Sequence, residues 1–180
     1  MPPSREPHAR KTFRLLTLGG SALVDTEGTA VAEQRRRIAL LVLLASSRER
    51  GVSRDKLVAA LSPESSTESA RHALHQLLYY LRQQIGDGAF LGTDPLRLDP
   101  DVVAFDVAEF EHALETGDLE RAVALYRGPF LDGFHLGDSN EFEEWAAGER
   151  SRLAAEQAGA LSRLAEAAAE RADHAAACSW

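Results

Sequence analysis

The sequence predicts two units in series: an α+β unit to about residue 100, then an all-α unit. Three observations carry this. Before residue 100, short apolar runs bounded by glycine or proline alternate with helix-period segments; beyond Asp99-Pro100 the periodic segments are all helical. The formal charge divides at the same place, with 14 Lys/Arg against 11 Asp/Glu in residues 1–100 and 6 against 17 in residues 101–180. Net charges of +3 and −11 suggest units with different partners, although the total of −8 taken alone would argue against nucleic acid. A chain of 180 residues buries enough surface to fold without staples. The single cysteine, Cys178, excludes a disulfide framework and a Cys-based zinc site and fits a reducing compartment.

The elements follow in order. Residues 1–11 hold two prolines and mixed charge and read as a disordered lead-in, with no apolar stretch behind them to make a signal peptide. Phe13 to Leu18, Ala22 to Val24 and Thr29 to Val31, separated by Gly19-Gly20 and by Asp25-Thr-Glu-Gly28, read as short antiparallel strands. Gln34 to Ser46 is helical and almost wholly apolar after Arg37, the mark of a buried helix. Its run Ile38 to Ala45 falls far short of the ~20 residues of a membrane span, so a cytoplasmic protein with no membrane partner is expected.

Ser53 is placed to cap a short helix, Arg54 to Leu61, which Ser62-Pro63 stops. Ser65 and Glu68 have capping-box spacing ahead of a long helix, Ser69 to Ile85, ended by Gly86-Asp-Gly88. Ala89 to Leu91 and Leu96 to Leu98 bracket Gly92-Thr-Asp-Pro95 as a hairpin. Helices are then expected over Asp106–Glu115, Asp118–Tyr126 and Asn140–Arg171. Gly117 to Ala122 recurs loosely at Ala172 to Ala177, which fits stacked helical hairpins. A helix starting near Trp180 leaves an apolar face uncapped, so a truncated chain is expected.

The long helix presents two faces. At 100° per residue, Ala70, Leu74, Leu77, Leu78, Leu81 and Ile85 form one apolar stripe. His72, His75, Gln76, Tyr79, Tyr80, Arg82 and Gln83 lie opposite or beside it. A plain solvated face would more often carry Glu and Lys; Gln and Arg read base edges in a major groove, and Tyr contacts phosphate. The order short helix, polar turn, long helix, hairpin suits a brace that sets the long helix into that groove. Ser53, Arg54 and Lys56 at a helix start, and Arg97 on the hairpin, are placed for phosphates. Arg35, Arg36 and Arg37 either do the same or solubilise the start of a buried helix.

These stretches resemble a known family. QRRRIALLVLLA, GVSRDKLVAALSPES, ARHALHQLLYYLRQQIG, the hairpin and LRLDP are similar to the OmpR-like winged helix of activators of the antibiotic-regulatory (SARP-like) type. DVAEFEHAL, LYRGPFLDGFHL and EFEEWAAGERSRL resemble the bacterial transcriptional activator domain that follows it. The resemblance implies an α+β winged helix-turn-helix on residues 12–100 and an all-α, tetratricopeptide-like domain on 101–180. It further implies a DNA-binding regulator of activator type, a homodimer on double-stranded DNA, and contact with RNA polymerase. The chain departs from the family in keeping only Arg82 near the end of the long helix and in having Ser62 before Pro63 where tryptophan is common. A degenerate winged helix acting as a protein-binding signalling scaffold is the alternative.

Other chemistry finds little support. His72 and His75 have ligand spacing but lack a third ligand, so no metal is expected. No phosphate loop, dinucleotide fingerprint or nucleophile elbow is present, so neither a cofactor nor catalytic residues are expected. Glu141, Glu143 and Glu144 suit a helix start. Phe110, Leu114, Leu119, Leu125, Tyr126, Phe130, Phe134, Phe142 and Trp145 read as core that locks the loop Gly128–Asn140 between helices.

Overall fold

The structure is a computed structural model that describes residues 12–32 and 34–172. The expectations for residues 1–11, for the recurrence beyond Ala172, for Cys178 and for Trp180 lie outside the described residues.

Three short strands open the chain: β1 (Phe13–Leu16), β2 (Ala22–Val24) and β3 (Ala30–Ala32), each antiparallel to the one before. Alternation sets the inner face, because Phe13 and Leu15 are buried while Arg14 points outward to the Glu109 carboxylate at 2.8 Å. β1 stops two residues before the expected Leu18. There Gly19 donates to the Pro129 carbonyl, Leu131 donates to that of Thr17, and Leu18 bridges Phe130. The close approach needs glycine, since a Cβ on Gly19 would stand 3.0 Å from the Arg127 backbone.

A fourth strand, β6 (Val103–Phe105), runs parallel to β1 and completes the order β3-β2-β1-β6. It lies past residue 100, so the sheet of the first half takes its edge strand from the second. Asp106 follows directly, nearly buried. Its carboxylate accepts the Thr17 amide at 2.6 Å, the Thr17 hydroxyl at 2.7 Å and the Leu18 amide at 2.8 Å.

Helix α1 (Arg35–Ser47) runs through the core, with Ile38 to Val42 and Leu44 all buried. α2 (Arg54–Leu61) begins as expected, the Ser53 hydroxyl accepting the Lys56 amide. α3 spans Thr67–Ile85 and buries the expected stripe, Ala70, Leu74, Leu77, Leu78, Leu81 and Ile85. Its cap is Ser66 rather than Ser65: the Ser66 hydroxyl accepts the Ser69 amide, while Ser65 spends its own amide on the Ser62 carbonyl in the preceding turn. β4 (Phe90–Leu91) and β5 (Arg97–Leu98) make the hairpin.

α4 (Asp106–Glu115), α5 (Leu119–Leu125) and α6 (Asn140–Glu170) form the helical half. Phe110, Phe130, Phe134 and Phe142 are buried, and Tyr126 and Trp145 are half-buried against them, which locks the loop between α5 and α6 as expected. One hydrophobic cluster runs without a break from Phe13 to Leu153, through both halves.

Candidate nucleic-acid interface

The apolar stripe of α3 leaves its other side in solvent. His72, His75, Gln76, Tyr79, Tyr80 and Gln83 are all exposed there, and the two tyrosines are the most exposed large apolar side chains described, at 55% and 50%. Tyr79 and Tyr80 meet edge to face at 5.6 Å, and a His72 ring nitrogen lies 3.0 Å from the Gln76 amide nitrogen. Arg82 is different. Half-buried, it stacks over Phe90 at 5.7 Å and faces Asp87 at 3.5 Å, so it partly serves to dock the hairpin. The other arginine of the helix, Arg71, pairs with Asp55 of α2 at 3.1 Å and binds the bracing helix to α3.

The hairpin is held at the same edge. Val52 pairs with Leu96 through two backbone hydrogen bonds of 2.9 Å, and Gly51 adopts a φ of +64° beneath Arg97. Arg54 donates from Nε to the Thr93 carbonyl at 3.0 Å and from its amide to Asp94 at 3.1 Å. Arg54 therefore organises the hairpin turn while keeping its terminal nitrogens outside those bonds. Arg97 is half-buried.

The arginine triplet sits elsewhere. Arg35 donates to the His135 carbonyl at 3.2 Å, Arg36 pairs with Asp138, and Arg37 lies 4.9 Å over the Tyr80 ring and reaches Gln84 at 3.4 Å. Arg35 and Arg36 join the two halves of the chain, and Arg37 props the exposed tyrosines. Lys56 is exposed and lines a cleft that faces α6.

Sequence reasoning missed four contributors. Gln84 donates to the Val31 carbonyl at 3.0 Å and anchors the end of α3 to β3. Asp138 and His135 receive arginines about a hundred positions earlier, and Asp106 fastens β1. Gln84 left a local signal as a polar residue beside the stripe, and Asp106 left one only as a helix start. Among the described residues no group of three His, Cys, Asp or Glu side chains could hold a metal.

Residues 105–179 match a family described as the bacterial transcriptional activator domain. Over those residues the chain is similar to that domain. The matched stretch starts at the last residue of β6, inside the sheet of the first half. Over 91% of its length the chain is similar in structure to Mycobacterium tuberculosis EmbR, solved in complex with a low affinity phosphopeptide, with a TM-score of 0.66 and 25% identity. It spans 47% of the EmbR chain, about half. No curated protein matches the sequence. The activator domain and the EmbR-like fold bear out the resemblance to transcriptional regulators of the antibiotic-regulatory type, and the fold of a small sheet unit followed by helices. No helix of the described residues is long and apolar enough to cross a membrane.

Proposed function

We propose that the protein is a transcriptional regulator that binds double-stranded DNA, with residues 12–100 acting as a winged helix and the activator domain, from about 101, making protein contacts. The observation that carries this is the outer face of α3: six exposed hydrogen-bonding or stacking side chains on a helix whose opposite stripe is buried. Such a helix enters a major groove as a rigid body, and Gln76 and Gln83 suit the paired acceptor and donor of adenine. His72, His75, Tyr79 and Tyr80 border them, with Arg82 at the hairpin side. Ser53, Arg54, Lys56 and Arg97 hold the backbone in this reading. Arg35 to Arg37 add field strength near the groove, part of which Asp138 cancels.

One such module grips few phosphates, so a homodimer on paired half-sites supplies the affinity. The acidic activator domain is the surface offered to RNA polymerase, and the setting is the cytoplasm. The second reading, a protein-binding scaffold without DNA, draws on one observation: both arginines of α3 are already partnered.

Selection from a random duplex pool, followed by anisotropy titration across salt, separates the two. Three cations on phosphate, Arg54, Lys56 and Arg97, give a log–log salt slope of about −3, and the arginine triplet steepens it toward −5. The Gln76→Ala/Gln83→Ala variant should bind the selected duplex at least ~10-fold more weakly with its fold unchanged. A slope near zero, or no enriched sequence, favours the scaffold.

A further inference from the structure

A cleft of about 930 Å³ lies between the α1–α2 side of the first half and α6 of the activator domain. We infer that this cleft binds a zwitterionic small molecule with an apolar body, of short-peptide size. The volume is that of a ligand site, and junctions between structural units are where such sites gather.

The walls carry opposite charge. On one side stand Arg50 and Lys56, both exposed, and neither makes an ion pair. On the other, Glu141 is exposed and equally unpaired, one turn before Trp145 on the same face of α6. No salt bridge joins these three charges across the gap, although long side chains of opposite sign would ordinarily be drawn together.

The reason is that the walls are pinned. The Ser139 hydroxyl, at the start of α6, donates to the Ala60 carbonyl at the end of α2 over 2.7 Å in a buried contact. Toward α4, Arg48 pairs with Glu111, and Arg152 of α6 binds Glu111, Glu149 and Glu156 at 2.7 to 2.8 Å. Of the charged residues lining the cleft, Glu111, Glu149 and Arg152 are thus paired, and Arg50, Lys56 and Glu141 are not. A ligand that places an anion between Arg50 and Lys56 and a cation at Glu141 satisfies these three, with an apolar body resting on Trp145 and Val52. Trp145 is a rigid platform, because its ring is wedged against Phe130 and Phe142 at 6.0 and 5.5 Å.

Calorimetric titration of the intact chain with the tripeptide Gly-Phe-Gly, free at both ends, tests this without reference to DNA. The free peptide should bind in the millimolar range or tighter. Its N-acetylated and C-amidated forms should each bind about fivefold more weakly, the effect of one partly exposed ion pair. Arg50→Gln should reduce the penalty of amidation to what Lys56 alone supplies and keep that of acetylation, and Glu141→Gln should erase the penalty of acetylation and keep that of amidation. Neither side chain has a partner in the fold, so both variants should keep the far-ultraviolet spectrum. No heat at about 10 mM peptide overturns the inference. So does equal binding of all three peptides, or discrimination that survives undiminished in both variants.

Discussion

Replacing Asp106 by alanine is the sharpest test of how the two halves are joined. Its buried carboxylate accepts three hydrogen bonds from the end of β1: the amides of Thr17 and Leu18 and the Thr17 hydroxyl, all within 2.8 Å. Hydrogen bonds to a charged acceptor are worth roughly 1.5–3 kcal/mol each, and a buried amide left without an acceptor costs about 1–3 kcal/mol. The hydroxyl can turn to another acceptor, but the two amides cannot. Asp106→Ala should therefore cost about 4 kcal/mol, a large part of the roughly 5–15 kcal/mol that holds such a fold. In guanidinium unfolding followed by far-ultraviolet circular dichroism, that moves the midpoint down by ~1 M. Thr17→Val, which removes only the hydroxyl, should cost ~1 kcal/mol, and the double variant less than the sum of the two. Asp132→Ala, at an exposed acidic position, serves as the control and should stay within about 0.5 kcal/mol of wild type. If Asp106→Ala costs under about 1 kcal/mol, the carboxylate is not the fastening described.

Three further outcomes are expected. Ser139→Ala loses both the α6 cap to Phe142 and the bond to Ala60, about 2 kcal/mol together, read as a melting temperature lower by about 6 °C. Gly51→Ala combines a positive φ with a Cβ 2.7 Å from Arg97 Cγ and 2.8 Å from the Leu96 carbonyl. It should cost about 3 kcal/mol by chemical denaturation and loosen the hairpin. Burial raises the Tyr126 hydroxyl above its ordinary 10.0, with Arg150 pulling the other way. Its folded value is raised, so its contribution is complete below about pH 10 and fades as pH rises through the folded value; urea midpoints from pH 9 to 12 should fall less steeply in Tyr126→Phe.

Much of the fold was legible because its signals are local. The α3 stripe follows from a period of 3.6, and Ser53 at the start of α2 from a capping rule that spans three residues. The pairing of β6 with β1 was not legible. Val103-Ala-Phe105 is too short to show alternation, and its partner lies about ninety positions earlier. Asp106 was readable as a helix start, and it is one, yet its carboxylate serves the end of another strand. The arginine triplet shows the same limit: its clustering suggested phosphates, and only the folded chain brings His135 and Asp138 beside it. On α3 the period separated the buried stripe from the exposed side but left open that Arg82 is tied to Asp87 and Phe90.

The strand β6 bears on how the chain can be taken apart. A fragment ended at Pro100 would retain every helix and turn of the winged half, yet would strip the outer partner from β1 and leave its edge uncovered. Phe13 and Leu15 would then lie along an open strand, ready to pair with a second copy. A cut that includes Phe105 but stops before Asp106 keeps the strand and loses its fastening. Anyone grafting this half onto another protein should carry the chain through Asp106 and the first turn of α4. The working boundary of the module is then a carboxylate rather than a loop.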